Sequence, residues 1–306
     1  MIRICLLCIL SLTLFPLKVC AAEPSEKLLF EKNSLYQYIQ VIEDTAKKER
    51  YVRNQKREYT QGGIYINAPE KLLFEFTQMG FVSLVFLDKD PQDVLFVGLG
   101  AGAMPRYFTK RYPDAVIDIA EIDPDMYSVA QKYFYFKEND KMKVHVEDGR
   151  LFLKRSKKKY DWIILDAYQN DYIPFHLTTL EFLKEVKSKL KDGGIVVANI
   201  TAPFRNKFFD SMVMTYKKAF PHLAIFKGKK SANFIFVATA GSKIKDKDSV
   251  EARAPKVQSV RKFDIDLEDY ASRYEPSDGY EWSGAKILTD DFAPVNLYQY
   301  QKSGAQ

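Results

Sequence analysis

Residues 93–102 read DVLFVGLGAG, in which a short apolar run passes directly into a loop with glycines at three alternate positions. A short, continuous apolar run is typical of a strand buried in a parallel sheet. Gly98, Gly100 and Gly102 allow the backbone to turn tightly and to approach a ligand closely, with the amides of the following helix directed at it. We call residues 98–102 the glycine loop, and it predicts a nucleotide-binding α/β domain.

Two acidic positions after the glycine loop indicate an adenosine ligand. Glu121 ends the second apolar run, where a carboxylate can accept hydrogen bonds from both ribose hydroxyls. Asp148-Gly149 follows the third apolar run, where a carboxylate and nearby amides suit the adenine amino group and a ring nitrogen. Gly102 comes two residues after Gly100, whereas the dinucleotide fingerprint has a longer spacing. The spacing favours a loop for S-adenosylmethionine (AdoMet), with a dinucleotide as the open alternative.

Apolar runs alternate with amphipathic stretches through the middle of the chain. Seven runs predict strands: 94–97, 116–120, 144–146, 162–165, 194–200, 222–227 and 233–239. Alternating strands and helices predict a doubly wound, seven-stranded α/β sheet of the Rossmann-like kind. Asp123 before Pro124 predicts one helix start, and Thr178 with Glu181 predicts a capping box at another. The polar segment 242–260 is expected to be a surface loop.

Residues 1–22 have the layout of a secretory signal peptide. Arg3 precedes an apolar stretch at 4–17, and Ala21 and Ala22 follow that stretch. A spanning helix needs roughly 20 apolar residues, so this stretch is short for a permanent anchor. We therefore expect cleavage, an exported protein in the periplasm or outside the cell, and no stable membrane anchor afterwards. All three cysteines lie in the segment, so the mature chain would have no thiol chemistry.

The rest of the chain divides into two predicted domains. Residues 23–68 form a small N-terminal β-sheet domain, and residues 69–306 form the catalytic domain. Three strand-like segments support the first domain: 36–42, 50–54 and 63–66. Apolar residues at helical spacing over 69–86 predict a helix that leads into the second domain.

Charge and histidine spacing argue against two classes of partner. The chain carries 46 Lys+Arg and 40 Asp+Glu, a net charge of +6, and the basic residues are spread along it. Nucleic-acid binders concentrate their basic residues on one face, so we expect no nucleic-acid partner. His145, His176 and His222 do not have metal-ligand spacing, so we expect no metal. His176 is a candidate for lining a substrate gate.

From about residue 34 to residue 239 these motifs resemble the spermidine synthases, the polyamine aminopropyltransferases. The similar pieces are Ser34-Leu35-Tyr36-Gln37, the glycine loop, Glu121-Ile122-Asp123, Tyr133-Phe134, Glu147-Asp148-Gly149-Arg150, Tyr160-Asp161 and Leu165-Asp166. The sequence LTDD at 288–291 is similar to divergent bacterial members of that family. The resemblance implies the class I methyltransferase fold, with a small β-sheet domain before it.

The resemblance also implies how the co-substrate binds. In that family, residues at the positions of Gln37, Glu121 and Asp148 hold the nucleoside, and the glycine loop and Gly149 approach it. The implied co-substrate is decarboxylated AdoMet or AdoMet itself.

The acceptor implied by the resemblance is a small amine. A primary amine has a pKa near about 10 and cannot attack carbon while protonated, so a carboxylate must collect its proton. The family's base matches Asp166, which follows the fourth strand. Tyr168 and Asp171 are expected to contact the amine, and a homodimer is a candidate assembly.

Two departures from the family pattern keep other functions open. Ala101 stands where the family has an Asp facing the aminopropyl ammonium, and Thr77-Gln78 replaces a Tyr-His pair. We expect first an aminopropyltransferase that acts on a polyamine such as putrescine. An AdoMet-dependent methyltransferase and a non-catalytic exported protein that binds nucleosides or polyamines are the alternatives.

Overall fold

The computed structural model describes residues 25–54, 60–167, 174–241, 245–277 and 284–293. This part of the chain contains two β-sheets. The predicted signal peptide lies outside these residues. No helix in these ranges is long and apolar enough to cross a membrane.

The first sheet is antiparallel, and its four strands follow one another in chain order. They are β1 (Glu26–Asn33), β2 (Tyr38–Asp44), β3 (Glu49–Arg53) and β4 (Thr60–Tyr65). The predicted small β-sheet is therefore present, and β1 is a strand that the sequence does not predict. We call these four strands the N-terminal sheet.

The central sheet has the order β12-β10-β11-β9-β8-β5-β6-β7. Its strands are β5 (Asp93–Val97), β6 (Val116–Glu121), β7 (Met142–Val146), β8 (Tyr160–Leu165), β9 (Leu190–Thr201), β10 (His222–Lys227), β11 (Asn233–Thr239) and β12 (Tyr274–Pro276). Strands β5 to β9 are parallel, whereas β10, β11 and β12 pair antiparallel. All seven predicted strands are confirmed, and the three-residue β12 adds an eighth at the edge.

The helices cover both faces of the central sheet. They are α1 (Glu75–Met79), α2 (Ala103–Arg111), α3 (Pro124–Tyr133), α4 (Gly149–Arg155), α5 (Leu180–Ser188), α6 (Phe209–Ala219), α7 (Lys247–Val260) and α8 (Leu267–Ser272), with 3-10 helices at Gly80–Phe86 and Phe175–Leu177. One face packs against the first 3-10 helix, α2, α7 and α8, and the other packs against α4, α5 and α6. The arrangement is doubly wound, as the sequence predicts.

Three local predictions need correction. The helix expected over 69–86 is a short α1 that tightens into the first 3-10 helix. The segment expected to be a loop carries α7 from Lys247 onward, because Val250 and Ala254 are buried against the core. The cap of α5 is Thr179, whose hydroxyl accepts the Phe182 amide, rather than Thr178.

A third apolar cluster joins the N-terminal sheet to the central sheet. Ile39, Val41, Val52 and Ile64 pack against Ala101, Met126, Val129 and Phe134. The first four residues belong to β2, β3 and β4, and the others belong to the glycine loop, α3 and the residue after α3. This cluster, which we call the junction cluster, holds the N-terminal sheet over the carboxyl ends of the parallel strands.

Candidate active site

A cavity of about 450 Å³ lies between the N-terminal sheet and the carboxyl ends of β5, β6 and β8. Its wall includes the residues predicted for a nucleoside and a base: Gln37, Gly98, Gly100, Glu121, Asp148, Gly149 and Asp166. In open α/β sheets, ligands bind outside the carboxyl ends of the strands. The volume falls within the usual range for small-molecule sites. Tyr168 and Asp171 lie outside the described residues.

The glycine loop needs its glycines for conformation and for space. Gly98, Gly100 and Gly102 have φ angles of 100°, 54° and 66°. A Cβ atom on Gly98 would come within 2.5 Å of the Asp166 carbonyl oxygen, and one on Gly102 would come within 2.6 Å of the Phe136 ring. Side chains at these two positions would therefore clash as well as strain the backbone. Gly102 is not in the cavity wall, so the structure gives it a packing role.

Glu121 ties the glycine loop to the end of β6. Its two carboxylate oxygens accept the backbone amides of Leu99 and Asp123, each at 2.9 Å. Burial raises the pKa of this carboxyl above its usual range, although the two amide hydrogen bonds oppose that shift. Each carboxylate oxygen has a further lone pair, so Glu121 can hold the loop and still accept a ribose hydroxyl.

Asp148 is hydrogen-bonded to His176, which the sequence indicates only as a candidate for lining a substrate gate. One oxygen of Asp148 caps α4 by accepting the Leu151 amide at 2.9 Å, and the other lies 2.8 Å from Nε2 of His176. Burial acts against ionisation of Asp148, but the hydrogen bonds from His176 and Leu151 prevail and lower its pKa. His176 is itself in the cavity wall. The next residue, Gly149, is needed because a Cβ there would come within 2.4 Å of Val97.

Arg150 supports the turn that carries His176. Its guanidinium donates to both oxygens of Glu185, to both oxygens of Asp290 and to the His176 carbonyl oxygen, at 2.8 to 3.0 Å. These five bonds use all five N–H groups of the side chain. The Thr179 hydroxyl also donates to Asp290. The LTDD motif therefore supports, through Arg150, the turn that places His176 in the cavity wall. We call this set of contacts the Arg150 clasp.

Gln37 reaches the cavity from the turn between β1 and β2. Its amide nitrogen lies 3.4 Å from a carboxylate oxygen of Asp123, which also accepts the Ser34 hydroxyl at 2.7 Å. The side-chain amide of Gln61 donates to the side-chain oxygen Oε1 of Gln37 at 3.1 Å. The N-terminal sheet thus supplies polar groups to the cavity and is linked to the start of α3 beside Glu121.

Asp166 comes directly after β8 and is part of the cavity wall. Its carboxylate accepts the side-chain amide of Asn199 at 3.0 Å, and Asn199 accepts the amide of Asn233 at 2.8 Å. Burial raises the pKa of Asp166 to about 6, and the Asn199 hydrogen bond acts in the opposite direction. A carboxylate with this pKa can collect a proton near neutral pH. Both asparagines line the cavity, although the sequence does not predict them as site residues.

Ala101 and Thr77 also lie in the cavity wall. The Ala101 side chain is 3% exposed and faces β4 at Gly62, where an added Cβ would be 3.1 Å from the Ala101 Cβ. The Thr77 hydroxyl donates to the Phe74 carbonyl oxygen. In the ranges described above, no three His, Cys, Asp or Glu side chains cluster as a metal site would require. The sequence-based expectation that no metal binds stays a prediction.

Comparison with known proteins adds to this geometry. The spermine/spermidine synthase domain family matches residues 77–228. The polyamine aminopropyltransferase of Vibrio vulnificus (strain CMCP6) is 33% identical over 276 residues, which cover 88% of this chain and 91% of that protein. The crystal structure of a probable spermidine synthase from Corynebacterium glutamicum aligns with a TM-score of 0.66 at 19% identity, covering 85% of this chain and 96% of its own. The crystal structure of human methyltransferase-like protein 13 in complex with SAH aligns with a TM-score of 0.56 at 25% identity. The alignment covers 62% of this chain and 94% of that chain.

Proposed function

Because the chain belongs to the spermine/spermidine synthase family, we propose that it transfers an aminopropyl group from decarboxylated AdoMet to a polyamine such as putrescine. The observation that carries the proposal is Asp166, a carboxylate in the cavity wall with a pKa of about 6. It lies against the glycine loop, since a Cβ on Gly98 would meet the Asp166 backbone. A base is therefore adjacent to the loop that would hold the sulfonium donor.

The proposed reaction is a single displacement at carbon. The nitrogen lone pair of the amine forms a bond to the methylene carbon next to the sulfonium. The carbon–sulfur bond breaks, and its electron pair neutralises the sulfonium, which leaves as methylthioadenosine. Asp166 takes the proton that the amine nitrogen loses, so the base is needed in its ionised form.

The donor would bind along the wall that begins at Gln37. Glu121 would accept the ribose hydroxyls, and Asp148, oriented by His176, would accept the adenine amino group. These contacts need no phosphate partner, which fits an adenosine sulfonium better than a dinucleotide. A related methyltransferase with SAH bound makes an AdoMet-derived ligand the natural class of co-substrate. We include Tyr168 and Asp171 among the residues that contact the amine.

Methyl transfer from AdoMet is the second candidate. It is favoured by Ala101, because the cavity wall there has no carboxylate to select the aminopropyl ammonium. The same base and the same nucleoside contacts would serve either reaction. The two functions differ in which carbon of the sulfonium is attacked.

The experiment that tests the proposal is product analysis. The protein lacking residues 1–22 is incubated with putrescine and either decarboxylated AdoMet or AdoMet, and the products are identified by mass spectrometry. We expect an aminopropylated amine and methylthioadenosine from the first donor, and loss of both products in Asp166→Asn. A methylated amine with S-adenosylhomocysteine would instead establish the second candidate, and binding without turnover would establish a non-catalytic protein.

We also propose that the protein acts after export, in the periplasm or outside the cell, and that it forms a homodimer. The layout of residues 1–22 supports the first proposal. Sedimentation equilibrium of the mature protein tests the second, since a dimer has twice the mass of the chain.

A further inference from the structure

Resting on the proposed function, we propose that Asn199 and Asn233 form an amide relay that positions Asp166, with Asn233 acting only through Asn199. Neither residue is predicted as part of the site from the sequence. Both are positioning residues, because they act on the carboxylate rather than on the reacting atoms.

The relay consists of two side-chain hydrogen bonds that run between three strand ends. Nδ2 of Asn199 donates to Oδ1 of Asp166 at 3.0 Å, and Nδ2 of Asn233 donates to Oδ1 of Asn199 at 2.8 Å. Asn199 lies near the carboxyl end of β9, and Asn233 is the first residue of β11. In the antiparallel pairing of these strands, Asn233 lies opposite Thr201 and Asn199 lies opposite Ile235. The register therefore brings the two amides together beside β8.

The direction of both bonds follows from the ionised base. A carboxylate can only accept hydrogen bonds, so Asn199 must turn its amide nitrogen toward Asp166. Its carbonyl oxygen then faces Asn233, which has to donate in turn. If Asn233 were removed, the Asn199 amide would lose the partner that keeps it in this orientation. The relay thus favours the form of Asp166 that can accept a proton.

The far end of the relay is anchored by the turn before β11. The carboxylate of Glu75 accepts the amides of Lys230 and Ser231 at 2.7 and 2.6 Å, and it pairs with Arg273 at 2.7 Å. Although burial opposes ionisation, these partners lower the pKa of Glu75 to about 2. The Asn233 carbonyl oxygen also accepts the Gly228 amide at 2.8 Å. These contacts hold the turn that carries Asn233, the residue that orients Asn199.

The relay matters because burial works against the base. In the part of the chain that the structure describes, Asn199 supplies the side-chain hydrogen bond to Asp166, and no described cation pairs with this carboxylate. Without that donor, burial would favour the protonated form further and fewer molecules would have a competent base at neutral pH. Loss of the relay should therefore move the acid limb of the pH–rate profile to higher pH.

A double-mutant cycle tests the relay through that limb. The variants are Asn199→Leu, Asn233→Leu and the double variant, with Asn139→Leu as a matched control at the opposite end of the parallel strands, before β7. The measured quantity is the acid midpoint of kcat/KM for putrescine with decarboxylated AdoMet. Thermal unfolding and methylthioadenosine affinity are measured on each variant to show that the fold and the nucleoside wall persist.

We expect Asn199→Leu to raise the acid midpoint by roughly one pH unit, the size that a hydrogen bond to a charged group provides. Asn233→Leu should raise it by less, should add nothing in the Asn199→Leu background, and should leave KM nearly unchanged. Unchanged midpoints with an altered KM, or additive effects of the two substitutions, would overturn the relay. If the natural protein transfers no group, the proposed function fails by itself, and the ¹³C titration of the Asp166 carboxyl in the same variants still decides the relay.

Discussion

Ala101 belongs to the glycine loop and packs against Gly62 of β4, and it is part of the cavity wall. At an effective dielectric constant of about 20, two charges about 4 Å apart interact by roughly 4 kcal/mol before desolvation is counted. A carboxylate at this position would attract the ammonium of decarboxylated AdoMet and repel the carboxylate of AdoMet. The methyl group of Ala101 supplies neither effect.

We therefore expect the natural protein to bind AdoMet and decarboxylated AdoMet with comparable affinity. Ala101→Asp should move the preference toward decarboxylated AdoMet by about tenfold or more, since 1.4 kcal/mol corresponds to a factor of about ten. Ala101→Asn, which has nearly the same shape and no charge, is the control. Isothermal titration calorimetry with both ligands measures the preference. A natural protein that already excludes AdoMet by about a hundredfold would show that another group supplies the selection.

Asp166 should reduce stability at the pH at which it works. Its pKa is about 6 in the folded protein against a usual value of 3.8, so the folded state binds the proton more tightly. The carboxyl therefore favours folding below its unfolded pKa, and this contribution is lost as the pH rises from about 4 to about 6.

Asp166→Asn should accordingly raise the free energy of unfolding by roughly 1 to 3 kcal/mol at pH 7 and by much less at pH 4. It should also abolish group transfer, because an amide cannot collect the proton. Urea unfolding at both pH values gives the comparison, with the exposed Asp291→Asn as control. A lower stability of Asp166→Asn at pH 7 would contradict the expected cost of burying the carboxylate.

At the scale of elements, the Arg150 clasp joins the start of α4, the turn before α5, α5 itself and the LTDD segment. Arg150 is 9% exposed, whereas its partners Glu185 and Asp290 are 26% and 44% exposed. Removing a buried partner of an ion pair leaves the other charges without compensation, but the exposure of these two carboxylates reduces that cost.

Arg150→Met should lower the free energy of unfolding by about 2 to 3 kcal/mol, and Asp290→Asn by about 1 kcal/mol or less. Arg155→Met is a suitable control, because Arg155 lies in the same helix and is 68% exposed in its pair with Glu147. Chemical denaturation of the three variants ranks them. Equal costs for Arg150→Met and Arg155→Met would show that the clasp does not stabilise the wall.

The sequence predicts correctly those strands and helices whose residues carry a clear local signal, such as an apolar run or a capping residue. The parallel strands are continuous apolar runs, and Asp123 caps α3 as expected because the signal is local. β1 was missed because its sequence EKLLFEKN is largely exposed and charged. α7 was missed because only Val250 and Ala254 of its 14 residues are buried, and because Pro255 lies inside it, where a proline is unfavourable. Packing against neighbouring elements, rather than local pattern, decides the structure of such segments.

The candidate site was predictable to the same extent. Glu121 ends a strand, and Asp148 and Asp166 come after strands, so the sequence places all three at one edge of the sheet. Asn199 and Asn233 are separated by 34 residues and meet only through the register of two antiparallel strands. Asp148 was predicted to bind adenine, yet its partner His176 reaches it from a turn 28 residues away. Sequence order contains no local signal for either contact.

For the whole molecule, we expect the mature chain to begin after Ala21 or Ala22. Export signals of this layout are cut after small residues, and removal of residues 1–22 takes away Arg3 and Lys18 and no acidic residue. N-terminal sequencing of the protein from the producing cell's exported fraction measures the cut. Recovery of the chain with Met1 intact from the cytosol would contradict it.

The junction cluster has a consequence for anyone who wishes to shorten this protein. A minimal version cut down to the doubly wound sheet would expose Ala101, Met126, Val129 and Phe134 to water, because their covering residues belong to the N-terminal sheet. It would also lose Gln37 and Gln61, which line the cavity. The shortened protein would therefore have an open cavity and an exposed apolar surface that favours aggregation. The two sheets should therefore be kept together in any shortened or redesigned version of the protein. A fusion partner or a circular permutation should be introduced at a site other than the connection between them.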